Sequence, residues 1–123
     1  MTILIAEDDL IMLKTIEHRL KKDGHTVILA ADGREALKEL EASSPDLIIT
    51  DIMMPFSSGL EIIEAAKKKS GKKIPVIILS AMGQENVVLE AFQLGADDYI
   101  TKPFSPNELS MRVKRYLAVA AEV

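Results

Sequence analysis

The sequence predicts a three-layer α/β protein, a doubly wound five-stranded parallel sheet between helices. Three observations carry this expectation. Short β-branched runs recur along the chain almost free of polar residues, as strands covered on both faces require. Between them the apolar spacing changes to three and four, the period of a helix packed on one side. The two patterns alternate without a linker, repeat or low-complexity segment, so residues 1–123 read as one domain.

The strands are expected at "TILIA" (2–6), "TVILA" (26–30), "LIIT" (47–50), "IPVIILS" (74–80) and "YIT" (99–101). The first helix carries Leu13, Ile16 and Leu20 as its stripe and stops at Gly24. The second opens with Asp32 as cap and Glu35 three residues on, and buries Ala36, Leu37 and Leu40. The third has Ser58 and Glu61 as a capping box. The fourth buries Val88, Ala91 and Phe92 and ends at Gly95. In the fifth, Ser105 caps, Pro106 takes the first helical position and Glu108 closes the box. Leu109, Val113, Tyr116 and Leu117 then share one face.

Composition narrows the function classes. The chain is 48% hydrophobic and 28% charged, with a net charge of -4, which does not favour a nucleic-acid surface. It has no cysteine, so disulfides, thiolate metal sites and thiol catalysis are excluded. No apolar run approaches the roughly 18 residues of a membrane helix, and Met1 leads straight into a strand, so a cytoplasmic protein is expected. The basic runs at 67–73 and 112–115 read as solvated helix ends and faces.

In a parallel sheet all strands exit on one edge, and ligands bind there at the switch point in strand order. Strand one exits into Glu7, Asp8 and Asp9, strand three into Asp51, strand four at Ser80, and strand five at Lys102 and Pro103. With the order 2-1-3-4-5 of flavodoxin-like folds, Glu7, Asp8 and Asp51 converge, and Ser80 and Lys102 face them. Taken singly, Asp9 reads as a helix cap, Ser80 as a strand-end hydroxyl and Lys102 as a surface lysine. Their coincidence at four exits points to a site. Two carboxylates about 4 Å apart repel by roughly 4 kcal/mol at an effective dielectric near 20, so such a cluster holds protons or a cation. Oxygen ligands alone suit a hard ion, and Mg²⁺ fits best.

These residues sit in "ILIAEDD" (3–9), "IITDIMMPFSSG" (48–59), "VIILSAMG" (76–83) and "ADDYITKPF" (96–104). With them the whole chain resembles the receiver domain of two-component response regulators. The resemblance implies that Asp51 accepts a phosphoryl group from a histidine kinase or phosphotransfer protein. It implies that Mg²⁺ is held by Asp8 directly, by Glu7 mostly through water, by Asp51 and by the Met53 carbonyl. Lys102 would pair with one phosphoryl oxygen and Ser80 with another, and Pro103 would form the cis bond that aims Lys102. Neither His18, on the polar side of its helix, nor His25, before strand two, suits the donor role. Ser80 and Tyr99 would form the switch, read by an effector at helix four, strand five and helix five. The same surface would carry a homodimer. No membrane contact or direct nucleic-acid contact is implied for this domain. The chain would be a switch that slowly dephosphorylates itself rather than an enzyme acting on others.

The sequence departs from the common pattern in places. Glu7 stands where Asp is more usual, and Phe56 where a small or polar residue is commoner, able to shield the site or meet the kinase. "GADDYITKPFSPNEL" resembles the subgroup attached to winged-helix transcription factors, but "QENVVLEAFQL" lacks that subgroup's basic residue on helix four. Among rivals, a haloacid-dehalogenase-type hydrolase needs a second Asp where Met53 stands. An FMN site would be repelled by "AEDDL", and a P-loop is absent. The remaining rival is a receiver-like protein-binding module that is never phosphorylated.

Overall fold

The computed structural model describes residues 1–54, 56, 58–69 and 73–121, the last five of them as backbone only. Strands β1 (Thr2–Ala6), β2 (Thr26–Ala30), β3 (Leu47–Asp51), β4 (Val76–Ser80) and β5 (Asp98–Thr101) form one parallel sheet in the order β2-β1-β3-β4-β5. Helices α1 (Leu10–Lys22), α2 (Gly33–Ala42), α3 (Gly59–Lys68), α4 (Glu85–Leu94) and α5 (Pro106–Ala121) alternate with them. The expected doubly wound fold is the observed one.

Two cores lie on the two faces of the sheet, because successive strand side chains point to opposite sides. Ile3, Ile5, Ile49, Ile77 and Leu79 pack against Leu13, Ile16 and Leu20 of α1 and Leu109 and Val113 of α5. Leu4, Ile48, Val76 and Ile78 pack against α2, α3 and α4 through Leu40, Ile62, Ile63 and Ala91. Each such aliphatic side chain contributes about 1.5–3 kcal/mol by leaving water, which holds the sheet rigid beneath its edges.

Several local expectations change. β3 runs through Asp51, so the charge lies within the strand's last pairing, opposite Leu79. β4 starts at Val76, not Ile74, since Pro75 has no N–H to give the ladder. Asp9 does cap α1, accepting from Ile11 and Met12 N–H. Asp32 accepts from Glu35 N–H, while Glu35 reaches back to Ala31 N–H. Ser105 Oγ accepts from Glu108 N–H at 3.1 Å, while the Glu108 carboxylate lies 3.7 Å from Arg112. Ser58 stands at the N-cap of α3 but its side chain makes no capping bond; its carbonyl already accepts from Glu61 N–H. Phe92 is 38% exposed rather than buried, its ring edge-on to Tyr99 at 5.8 Å. The Leu117 side chain lies outside the described residues.

The basic runs are not merely solvated. Lys67 donates to Ile74 C=O and to Asp97, Lys69 to the Leu40 and Ser43 carbonyls, and Arg112 to both oxygens of Asp98. Residues 70–72 of the first run lie outside the described residues. No helix among the described residues is long and apolar enough to cross a membrane.

Candidate functional site

Register brings the acidic residues together. Ala6 pairs with Thr50 across the β1–β3 ladder, so Glu7 and Asp51, each one residue further on, emerge side by side. Asp8 joins them, and carboxylate oxygens of the three lie within 4.8 Å of one another. From the other side, Ser80 pairs with Thr101, and Lys102 follows into the same edge. Its ammonium lies 2.8 Å from Asp51 Oδ2 and 3.1 Å from both oxygens of Glu7. The second Asp51 oxygen accepts from Met53 N–H at 3.3 Å. Glu7 Oε1 also accepts from Asp9 N–H at 3.3 Å. The Lys102–Pro103 peptide is cis.

Two of the three carboxylates, Glu7 and Asp51, thus share one ammonium, and Asp8 stands beside them. Glu7 is fully buried, and desolvation, reinforced by the charge of Asp51, pushes its carboxyl up to about 7 in spite of Lys102. Burial alone would lower Lys102, but its hydrogen bonds and charge pairing with Asp51 and Glu7 outweigh that and hold the ammonium above its ordinary range. A site with an acidic excess, oxygen ligands and no sulfur or imidazole fits a hard divalent cation. Asp51 itself is 7% exposed, so a small group can reach it from the open edge.

Ser80 is buried at the end of β4, with its carbonyl accepting from Lys102 N–H at 2.7 Å. Tyr99 points outward on β5, 43% exposed. Between them and α4 lies a cavity of about 380 Å³, lined in part by Ser80, Val88, Phe92, Tyr99 and Thr101. Phe56 is exposed, takes a left-handed backbone at φ 72°, and lies beneath the Arg34 guanidinium at 4.2 Å. His18 is exposed on α1, and His25 lies directly before β2, at the amino edge of the sheet.

One residue of consequence carried no side-chain signal. A Cβ on Gly59 would meet the Asp51 carbonyl oxygen at 2.6 Å and the Ile52 Cα at 2.9 Å. Only glycine lets the start of α3 lie this close to the strand end that bears Asp51, and Gly59 N–H donates to Ile52 C=O at 2.9 Å. The sole hint in the sequence is a glycine as the first residue of a helix, directly after its cap.

A carboxylate cluster with Glu7 and Asp51 buried and Asp8 exposed thus faces a lysine at the carboxyl edge of a doubly wound parallel sheet, the edge where this class of α/β domain binds its ligands. The family profile of the response regulator receiver domain matches residues 3–114, and the chain belongs to that family. It is a phosphorylation-activated signalling switch of two-component systems. Over 115 residues it is 39% identical to the alkaline phosphatase synthesis transcriptional regulatory protein PhoP of Bacillus subtilis, covering 94% of this chain and 48% of that protein. The chain spans about half the length of the curated relatives it matches. Its structure resembles the Francisella response regulator 1452 receiver domain, with a TM-score of 0.86, 34% identity and 97% and 98% of the two chains covered. It likewise resembles the chemotaxis response regulator CheY4 of Vibrio cholerae, with a TM-score of 0.85, 31% identity and 94% and 97% covered.

Proposed function

We propose that Asp51 is the phosphoacceptor of this domain. A carboxylate oxygen of Asp51 attacks the phosphorus of a phosphohistidine on a sensor kinase or phosphotransfer protein. The new O–P bond forms as the N–P bond breaks, and the imidazole leaves with the electron pair. The observation that carries this reading is the Lys102 ammonium poised 2.8 Å from Asp51 Oδ2, inside an acidic cluster it does not neutralise. Asp8, Asp51, Glu7 through water and the Met53 carbonyl would hold Mg²⁺. When bound, that ion neutralises charge on the transferring oxygens.

Lys102 then follows the new negative charge from Asp51 to the phosphoryl oxygens, and the Ser80 hydroxyl donates to another. The cavity behind Ser80 gives Tyr99 room to turn inward, which would remodel the surface of α4, β5 and α5 for a downstream effector domain or protein. Inverting a population of about 1:99 needs about 5.5 kcal/mol, within reach of a dianion met by an ammonium, a metal, a hydroxyl and a backbone N–H. A homodimer through the same surface would have to work around Arg112, already held by Asp98 within the chain at 2.8 Å. Attack of water on the acyl phosphate returns the switch to rest, so the chemistry is on the domain itself.

Incubation with Mg²⁺ and acetyl phosphate tests the reading by mass spectrometry. Wild type should gain one phosphoryl group and Asp51→Asn none. No gain in wild type would favour the unphosphorylated binding module.

A further inference from the structure

The turn between β4 and α4 contains a hydrogen bond that the switch just described does not use. Ala81 follows Ser80 directly, and its backbone N–H donates to Gln84 Oε1 at 2.7 Å. Strand geometry fixes where that N–H points, because the backbone polar groups of successive residues alternate between the two neighbouring strands. Leu79 C=O accepts from Ile52 N–H at 3.0 Å, on the β3 side. Ser80 C=O accepts from Lys102 N–H at 2.7 Å, on the β5 side. Ala81 therefore turns its N–H back toward β3, whose last residue is Asp51.

Gln84 stands at the N-cap of α4, yet its side chain makes no capping bond there. Gly83, at φ +88° with open space around it, allows the reversal that carries Gln84 back over Ala81. The glutamine side chain is thus committed to a single N–H at the rim of the site.

We propose that Gln84 is an intramolecular latch, its amide oxygen occupying the Ala81 N–H until a phosphoryl oxygen on Asp51 displaces it. The latch rests on the reading of Asp51 as phosphoacceptor. A hydrogen bond to a charged acceptor is roughly twice as strong as one to a neutral amide oxygen, so the exchange runs forward only once the anion is present. Displacement frees Gln84 at the N-cap of α4, which couples the state of Asp51 to that helix by a route independent of Tyr99. Gln84 is a positioning residue in this scheme, acting through the Ala81 amide.

Beryllofluoride with Mg²⁺, a non-covalent stand-in for the phosphoryl group, tests the latch by titration calorimetry. Gln84→Ala removes the competitor and should bind about fivefold tighter, the equivalent of one net hydrogen bond near 1 kcal/mol. Gln84→Glu offers a stronger acceptor and a repelling charge, and should bind more weakly than wild type. The Ala81 amide resonance should move when beryllofluoride binds wild type and should already be displaced in free Gln84→Ala. Unchanged or weaker binding by Gln84→Ala would overturn the latch. So would a change of the same sign in both variants, which would mark a merely turn-stabilising role. If wild type takes up neither beryllofluoride nor a phosphoryl group from acetyl phosphate, the phosphoacceptor reading falls and the latch with it. Normal wild-type uptake with no effect at position 84 removes the latch alone.

Discussion

Both edges of the sheet are charged, but they are built on opposite rules. At the amino edge the charges are matched. Asp97 Oδ2 accepts from Lys67 at 2.9 Å and from Val76 N–H at 2.8 Å, and Lys67 spends another donor on Ile74 C=O. Asp46 accepts from Thr2 N–H, and Asp23 accepts from Ser110 and Arg19. At the carboxyl edge, Glu7 and Asp51 share a single ammonium, with the Asp8 carboxylate close beside them. The two edges push carboxyl groups in opposite directions. The Ser110 hydrogen bond, with the charge of Arg19, holds Asp23 below the usual carboxylate range, whereas burial beside Asp51 raises Glu7 to about 7. Matched charges fasten strand starts to helix ends. Unmatched ones leave a standing demand for positive charge, the condition that the proposed metal-dependent phosphoacceptor requires.

Removing the lysine from each edge should separate the two rules. Lys102→Ala leaves Glu7 and Asp51 buried without their counter-charge, and should cost about 3 kcal/mol in the absence of metal. Because the acidic oxygens remain, millimolar Mg²⁺ should raise the melting temperature of Lys102→Ala by more than it raises that of wild type, since binding to the native state alone stabilises by mass action. Equal metal shifts in the two proteins would count against a shared acidic cation site. The variant should still fold, and phosphorylation should no longer change partner binding.

Gly59→Ala probes how the carboxyl edge is held. Its new methyl group would meet backbone, the Asp51 carbonyl at 2.6 Å, and backbone cannot swing aside as a flexible side chain can. A cost of about 2 kcal/mol is expected, with slower phosphorylation by acetyl phosphate because the strand end is displaced. At the other edge, the nearest atoms to a Cβ on Gly95 would be those of the flexible Lys67 side chain, from 3.1 Å, although its left-handed φ of +114° adds strain of its own. Gly95→Ala should therefore lower stability without slowing phosphorylation. Equal slowing by both variants would show that the effect is not local to Asp51.

Lys67→Ala should cost less, about 1 kcal/mol, because Asp97 keeps the Val76 N–H and can be reached by water. Mg²⁺ should stabilise this variant no more than wild type. A larger metal shift in Lys67→Ala than in wild type would contradict the division between the edges.

The two edges were not equally legible in the sequence. The strand exits could be read from composition, since a charge directly after an apolar run is conspicuous at Glu7, Asp51 and Lys102. That Lys102 faces Glu7, 95 residues away, takes the strand order of flavodoxin-like folds as well, with β1 and β3 neighbours, and its bonds to both Glu7 oxygens are visible only in the structure. Lys67 and Lys69 were hidden for a similar reason. A lysine run looks solvated unless one knows which carbonyls the helix end approaches, and Asp97 is 30 residues away. Ser58 showed a capping pattern that the backbone made unnecessary, and the outward face of Phe92 followed from the place of β5 at the sheet edge, where less covers it.

The smallest expected effect belongs to the amino edge and comes from a mismatch there. Among the described residues, His25 Nδ1 is a buried side-chain atom without a hydrogen-bond partner. Burial, helped by the Met1 ammonium and Lys114 and opposed by Asp23, lowers its pKa below the ordinary 6.5. A histidine with a depressed native pKa contributes stability that is complete above about 6.5 and is lost as pH falls through the native value, because the unfolded chain takes the proton first. The melting temperature of wild type should therefore drop between pH 7.5 and pH 5.5 by more than that of His25→Gln, which cannot charge. Since His25 lies on the edge away from the acidic cluster, the difference between the two proteins should be the same with and without Mg²⁺. Parallel melting curves across that range would show that the imidazole does not resist protonation in the fold, and a difference that vanished with metal would tie the two edges together.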